Sequence, residues 1–270
     1  MNDCINLYLE LLKKCVSNSI YDDDLDLMLG KLTIDPDTGR YITVEPALAD
    51  IKRKYYGEIW PTRAHTMIGI PRLDNIQYCV EDVLKSGICG DLIETGVWRG
   101  GATIFMRGIL KAYGVTDRHV WVADSFEGLP KANHARYTKE SKMEFYKFGE
   151  LAVSLDEVRK NFENYGLLDD QVRFLKGWFR DTLQTAPIEK LAVMRLDGDM
   201  YESTMDALVN LYPKLSPGGY VIIDDYNDIQ SCNDAVDDFR KEWGITAKLS
   251  LIPSLIPSSG AFWRKQDGVV

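Results

Sequence analysis

The segment DLIETGVWRGGAT, residues 91–103, joins a short apolar run to a helical pattern through a glycine-rich turn. The run DLIET is short and mostly apolar, which is typical of a strand buried in a parallel sheet. Glycines in such a turn let the backbone approach a ligand, and the helix that follows presents free N–H groups. The segment therefore predicts a strand, a ligand-binding turn and a helix in direct succession.

The same alternation of strand and helix continues along the chain from about residue 75. Strands are predicted at 91–95, 119–124, 172–177, 191–197 and 220–225, and helices near 75–87, 101–113, 154–165, 200–213 and 231–242. Strands separated by helices pair in parallel through right-handed crossovers. Two late runs, 247–252 and 260–265, fit an antiparallel edge. We therefore expect an α/β fold with a mostly parallel sheet, helices on both faces and an antiparallel edge strand.

Composition restricts the partners and the compartment. The 270 residues carry a net charge of −9, so nucleic acid and anionic membrane surfaces would be repelled. The five cysteines have neither disulfide-framework nor zinc-site spacing, and no apolar run is long enough to span a membrane. These features predict a cytoplasmic protein with a small-molecule partner, no nucleic acid and no membrane.

The ends of the predicted core carry additions. Residues 1–65 are expected to form an N-terminal helical extension to a main domain at 66–270. Apolar residues recur at helical spacing over 5–16, and this amphipathic helix offers a contact for a homodimer. A second short helix is expected in the acidic segment 21–29. The polar and aromatic insertion 130–150 is either a mobile lid or a decorated surface helix.

The turn after the first sheet strand has the pattern ExGxxxGG, with Glu94, Gly96 and Gly100, instead of the GxGxxG of dinucleotide-binding proteins. A carboxylate two residues before the first glycine suits a ligand with an ammonium group. S-adenosylmethionine carries one on its methionine part. An NAD site remains an alternative, because a glycine turn alone is a weak signal.

Two further strand ends point to a nucleotide. Asp124 ends the second strand, where an acidic side chain can bind both ribose hydroxyls, although it can also serve as a helix cap or turn former. Gly177 and Trp178 follow the third strand. Trp178 could stack on adenine, as could Phe179, or either ring could pack in the core.

Four aspartates follow the next two strands: Asp197 and Asp199 after one, Asp224 and Asp225 after the other. Neighbouring strand ends share one rim of the sheet, so the two acidic pairs should converge and require a cation. Oxygen ligands favour Mg²⁺ over Ca²⁺ or Mn²⁺. Some of these aspartates could instead cap helices. Glu202, one turn later, is expected to face solvent or a neighbouring helix.

Several long motifs resemble the TylF/macrocin O-methyltransferase family: residues 91–110, 122–130, 176–183, 194–204 and 211–226. The resemblance spans about residues 62–240. It implies a Rossmann-like class I methyltransferase fold with seven strands, S-adenosylmethionine as cofactor and Mg²⁺-dependent methylation of sugar hydroxyls in antibiotic biosynthesis. The implied cofactor residues are Thr66, Met67, Ile68, Glu94, Gly96, Asp124, Ser125, Gly177 and Trp178. Asp197, Asp224 and Asp225 would bind the metal, and Asp197 or Asp199 would accept the proton.

The expected function is therefore O-methylation of a hydroxyl in a secondary metabolite, with a sugar favoured as acceptor. A polyketide or phenolic hydroxyl would need the same cation and base, so it remains an alternative acceptor. A nicotinamide-dependent oxidoreductase could use the glycine turn and Asp124, but it would leave the acidic cluster without a task. A non-catalytic module of the same fold is the third alternative.

Overall fold

The computed structural model describes residues 2–20, 32–34, 41–43, 51–140, 142, 144–255 and 260–266. Its α-helices are α1 (Asn2–Val16), α2 (Ile51–Tyr56), α3 (Gly69–Lys85), α4 (Gly101–Ala112), α5 (Leu155–Asn164), α6 (Phe179–Thr182), α7 (Tyr201–Leu211) and α8 (Gln230–Glu242). Its strands are β1 (Leu32–Ile34), β2 (Tyr41–Thr43), β3 (Asp91–Thr95), β4 (Val120–Asp124), β5 (Val172–Lys176), β6 (Leu191–Leu196), β7 (Leu215–Ile223), β8 (Ser250–Leu251) and β9 (Ala261–Arg264).

The main sheet has seven strands in the order β5-β4-β3-β6-β7-β9-β8. Strands β3 to β7 pair in parallel, and β9 pairs antiparallel with both β7 and β8. The predicted mostly parallel sheet with an antiparallel edge is confirmed. The chain runs outward from β3 to β5 and then returns to β6 on the other side of β3, so a crevice opens between the carboxyl ends of β3 and β6.

Apolar side chains alternate between the two faces of the sheet. Leu92 of β3 faces a core formed with α1, α3, α4 and α5, and Ile93 faces a second core formed with α7 and α8. Both side chains are fully buried. Strand geometry dictates this period of two. Because helices cover both faces of the sheet, residues that face either side are apolar, and the strands read as continuous apolar runs in the sequence.

Helix α1 contributes side chains to the first of these two cores. Leu9, Leu12 and Val16 join the cluster that contains α4. The ammonium of the buried Lys13 donates to Asp74 of α3 over 2.5 Å. The predicted amphipathic N-terminal helix is thus present, while the second helix expected at 21–29 lies outside the described residues. The domain boundary at residue 65 stays a prediction.

Other boundaries differ from the expected ones. Helix α3 begins at Gly69 and not near residue 75, because Pro71 lies in its first turn, where a missing backbone N–H costs nothing. The short elements α2, α6, β1 and β2 were not expected. In the described part of the chain, no helix combines the length and the apolar character that crossing a bilayer requires.

The packing of α1 leads to a stability prediction. Leu9→Ala should lower the free energy of unfolding by about 2–5 kcal/mol, because the side chain of Leu9 is fully buried in the core that α1 shares with α4. Leu7→Ala is the matched control: Leu7 lies in the same helix but is 73% exposed, so its loss should cost less than about 0.5 kcal/mol. Urea denaturation measures both. Equal losses would contradict the packing of α1 in the core.

Candidate active site

A cavity of about 290 Å³ lies at the carboxyl ends of the parallel strands. Most of the side chains predicted to bind cofactor or metal line it together. They are Thr66, Met67, Ile68, Glu94, Gly96, Asp124, Ser125, Trp178, Asp197, Asp199, Asp224 and Asp225. The other two predicted residues, Gly100 and Gly177, do not line it. The structure thus brings one predicted set into one site, while the individual roles stay predictions.

Gly96 allows β3 and β6 to approach closely at the crevice. Its φ is +83°, and a Cβ atom there would lie 1.7 Å from the carbonyl oxygen of Asp197. Gly100 has a different task, since it is the left-handed N-cap of α4 at φ +84°. A Cβ on Gly100 would meet Val158 of α5 at 2.8 Å. Gly96 therefore shapes the site, and Gly100 shapes the turn behind it.

The segment that contains Thr66, Met67 and Ile68 is fixed from two sides. The backbone N–H groups of His65 and Thr66 donate to the carbonyl of Val16, at the end of α1, over 2.8 and 3.1 Å. The N–H of Gly101 donates to the carbonyl of His65 over 2.8 Å. A side chain on Gly101 would collide with that carbonyl. The N-terminal helix therefore helps to position a wall of the cavity.

Asp124 lines the cavity but already accepts hydrogen bonds from the backbone. Its Oδ2 accepts from the N–H of Val97 over 2.8 Å, and its Oδ1 accepts from the N–H of Phe126 over 2.7 Å. Burial raises the pKa of its carboxyl, and these hydrogen bonds oppose the rise. The turn-forming alternative is what the structure displays, and binding of a ribose by Asp124 stays a prediction.

Trp178 and Phe179 follow β5 and both reach the cavity. Phe179 also packs against the second core. For Phe179 the structure therefore shows the predicted core packing, while stacking on adenine stays a prediction. Stacking of adenine on Trp178 stays a prediction.

Arg195, which was not expected from the sequence, lies at the centre of the site. Its guanidinium is 1% exposed and hydrogen-bonds to Glu94, Asp197 and Asp224, with 2.8 Å between its Nη1 and Oδ2 of Asp197. The signal for it was a single charged residue inside the apolar run LAVMRL. Arg72 of α3 adds a second guanidinium, whose Nε lies 3.2 Å from Oδ1 of Asp224.

Three carboxylates form a compact group beside this arginine. One oxygen each from Asp197, Asp199 and Asp225 lies within 4.8 Å of the others. Burial, followed by the negative charge of its neighbours, raises the pKa of Asp197 to about 6 and those of Asp199 and Asp225 well above the usual range. Asp199 has φ +57°, a conformation that costs a non-glycine residue free energy. Asp224 lies outside this group, and its Oδ1 is bound by the guanidinium groups of Arg72 and Arg195.

The expectation for Glu202 was wrong. Its side chain is buried, lines the cavity and accepts a hydrogen bond over 2.9 Å from Arg136 of the insertion 130–150. Glu140 of the same insertion accepts from the backbone N–H groups of Tyr201 and Glu202, at the start of α7. An acidic side chain at this place stabilises the first N–H groups of a helix, which have no partner within the helix. The position of Glu202 in the sequence does not reveal that Arg136 is its partner.

The insertion 130–150 covers the cavity, to which it contributes Pro130 and Phe145. Its described residues contain turns and the 3₁₀ segments Phe145–Lys147 and Gly149–Leu151, but no α-helix. Of the two alternatives, the surface helix therefore does not match the described part of the insertion. Mobility of a lid stays a prediction.

Glu94 leads to a prediction on pH. Burial raises its pKa from 4.5 to about 8, so the folded protein keeps a proton that the unfolded chain loses between these values. Stability from this group is complete below about pH 4.5 and falls as pH rises toward about 8, by at most about 1.4 kcal/mol per pH unit. Glu94→Gln cannot titrate. Urea denaturation in EDTA should therefore show wild type losing stability relative to the variant over this range. A constant difference would contradict the assignment.

Known proteins match almost the whole chain. The family model described as Macrocin-O-methyltransferase (TylF) matches residues 5–265. The chain is 53% identical over 263 residues to 8-demethyl-8-(2,3-dimethoxy-alpha-L-rhamnosyl)-tetracenomycin-C 4'-O-methyltransferase of Streptomyces olivaceus, covering 97% of this chain and 94% of the relative. It is 50% identical over 264 residues to mycinamicin III 3''-O-methyltransferase of Micromonospora griseorubida, covering 97% of both chains.

A solved structure gives the same result for the fold. The O-methyltransferase NovP superposes with a TM-score of 0.84 at 49% identity, covering 97% of this chain and 99% of that chain. The predicted Rossmann-like class I fold, that of S-adenosylmethionine-dependent methyltransferases, is confirmed, and the family decides for methyl transfer over hydride transfer. On its sequence, its sheet and its cavity, the chain belongs to the TylF macrocin-O-methyltransferase family.

Proposed function

We propose that this O-methyltransferase transfers the methyl group of S-adenosylmethionine to a sugar hydroxyl of a secondary metabolite, with Mg²⁺ bound at the acid cluster. The observation that carries the proposal is one cavity with two kinds of residue. Candidate cofactor residues, Thr66 to Ile68, Glu94 and Gly96, share it with the carboxylates of Asp197, Asp199 and Asp225. A methyl donor and an activated acceptor could therefore meet there.

The acid cluster fits a hard divalent cation. Its three donors are carboxylate oxygens, which Mg²⁺ prefers, and the group contains neither His nor Cys. Burial and then mutual repulsion raise the pKa values of Asp199 and Asp225, and a positive charge bound between them would oppose both effects. Asp224 stays a predicted ligand, although guanidinium groups bind its Oδ1. Bound there, Mg²⁺ would supply a Lewis acid that lowers the pKa of an acceptor hydroxyl.

Asp197 is the residue best placed to accept the proton of the acceptor. It lines the same cavity as the candidate cofactor residues, where a carboxylate can accept the proton of a bound hydroxyl. Arg195 binds its Oδ2 and thereby fixes the orientation of the carboxylate. Asp199 remains the alternative base. With donor and acceptor held in one small cavity, positioning would supply much of the rate acceleration.

The relatives favour a sugar as the acceptor. The name of the Streptomyces olivaceus relative specifies a rhamnosyl group on a tetracenomycin, and the Micromonospora griseorubida relative acts on mycinamicin III. A phenolic or polyketide hydroxyl stays an alternative. A cytoplasmic location, a small-molecule partner and the absence of nucleic-acid and membrane partners also stay predictions. So does the homodimer through the N-terminal region, for which the exposed Leu11 of α1 offers an apolar contact.

The acceptor can be tested directly. The protein would be incubated with S-adenosylmethionine and matched pairs of glycosylated compounds and their aglycones, and the products analysed by mass spectrometry. We expect a gain of one methyl group on the sugar of glycosylated compounds only. Methylation of aglycones would favour the phenolic or polyketide alternative and contradict a sugar acceptor.

The cation can be tested on its ligands. Asp199→Asn and Asp225→Asn should each lower Mg²⁺ affinity by at least about 10-fold and abolish methylation, because each removes one charged ligand. S-adenosylhomocysteine affinity should change little. Asp170→Asn, at an exposed position, is the matched control. Calorimetry measures both affinities. A wild-type protein that methylates equally well in EDTA would contradict the metal site.

A further inference from the structure

Arg195 occupies a position that reaches both halves of the cavity. It pairs in register with Glu94 of β3 on one side and with Ile222 of β7 on the other. Side chains two residues apart on a strand share a face, so Asp197 and Asp224 point to the same face as Arg195. The sheet itself therefore places one arginine between a carboxylate of the proposed cofactor half and two carboxylates of the acid half.

The contacts follow this placement. Nη1 of Arg195 donates to both Glu94 and Asp197, and Nη2 donates to Asp224. The guanidinium is 1% exposed, so water cannot replace a missing partner. An arginine presents several donors in one rigid plane, whereas a lysine offers a single point of charge. One side chain therefore binds all three carboxylates, and at Asp224 it acts together with Arg72.

We propose that Arg195 is a positioning residue for both ligands, orienting Glu94 toward the cofactor and Asp197 and Asp224 toward the cation. This inference rests on the proposed function, since it assumes that both ligands bind in this cavity. It goes beyond that function because it makes the two binding sites depend on one group that touches neither ligand. A change at Arg195 should therefore lower the affinities for both ligands together.

Two other buried arginines provide matched controls. Arg72 pairs with Asp224 and Asp228 but with no residue of the cofactor half in the described chain. Arg107 of α4 is as well buried and pairs with Asp169, away from the cavity. The substitution Arg→Lys keeps the charge at all three positions and removes only the planar donor group. Differences among the variants thus report which ligands each arginine serves.

The experiment measures the affinities of S-adenosylhomocysteine and of Mg²⁺ separately by calorimetry, with near-ultraviolet circular dichroism as the check of fold. Arg195→Lys should lose at least about 10-fold in both affinities, the loss seen when hydrogen-bond partners of metal ligands are changed. Arg72→Lys should lose Mg²⁺ affinity only. Arg107→Lys should lose neither.

The outcomes separate this inference from the proposed function. A wild-type protein that binds S-adenosylhomocysteine but no Mg²⁺ would overturn the proposed metal site, and the double role of Arg195 with it. Wild-type binding of both ligands, with a folded Arg195→Lys that loses one or neither, would overturn the double role alone. If Arg195→Lys does not fold, Glu94→Ala decides. It removes the acceptor of the guanidinium on the cofactor side and should lower Mg²⁺ affinity, and an unchanged affinity would overturn the inference.

Discussion

The site depends on one buried guanidinium and the three carboxylates that it binds. Arg195, Glu94 and Asp224 are buried, and Asp197 keeps only 25% of its side chain exposed, so water solvates these groups poorly. Removing one member of such a group typically costs about 3–5 kcal/mol, because an uncompensated charge stays buried. The group also carries more negative than positive charge. Such a surplus would suit the cationic groups of the proposed ligands: an ammonium, a sulfonium or a metal ion.

A second constraint is the close approach of backbone at the crevice. The carbonyl of Asp197 lies where a side chain of residue 96 would be, so only glycine lets β3 and β6 end side by side. The neighbouring wall depends on residues that are more distant in the sequence. The carbonyl at the end of α1 accepts a hydrogen bond from the N–H of His65, and the carbonyl of His65 accepts one from the first residue of α4. A helix at the start of the chain therefore shapes the cavity without lining it. Loss of α1 packing would therefore displace the segment that contains Thr66 at the cavity wall.

The sequence was sufficient for the strands of the main sheet and for their convergence, because apolar runs and strand-end carboxylates are local signals. Arg195 was missed because only one of its three partners, Asp197, is near it in the sequence. The other two, Glu94 on β3 and Asp224 after β7, are visible only once the register is known. The same reason explains Glu202, whose partner Arg136 is 66 positions away. For Asp124 the local turn alternative was visible, since its partner Phe126 is two residues on.

The insertion and the acid cluster meet at the start of α7. Glu140 binds the first backbone N–H groups of that helix, whose preceding loop carries Asp199. Arg136 is half exposed, but the carboxylate of Glu202 that it binds is buried. Loss of this hydrogen bond would leave a buried side chain of Glu202 without its arginine, at a cost of about 1–3 kcal/mol. The contact therefore stabilises the insertion against the start of α7, next to the loop that carries Asp199.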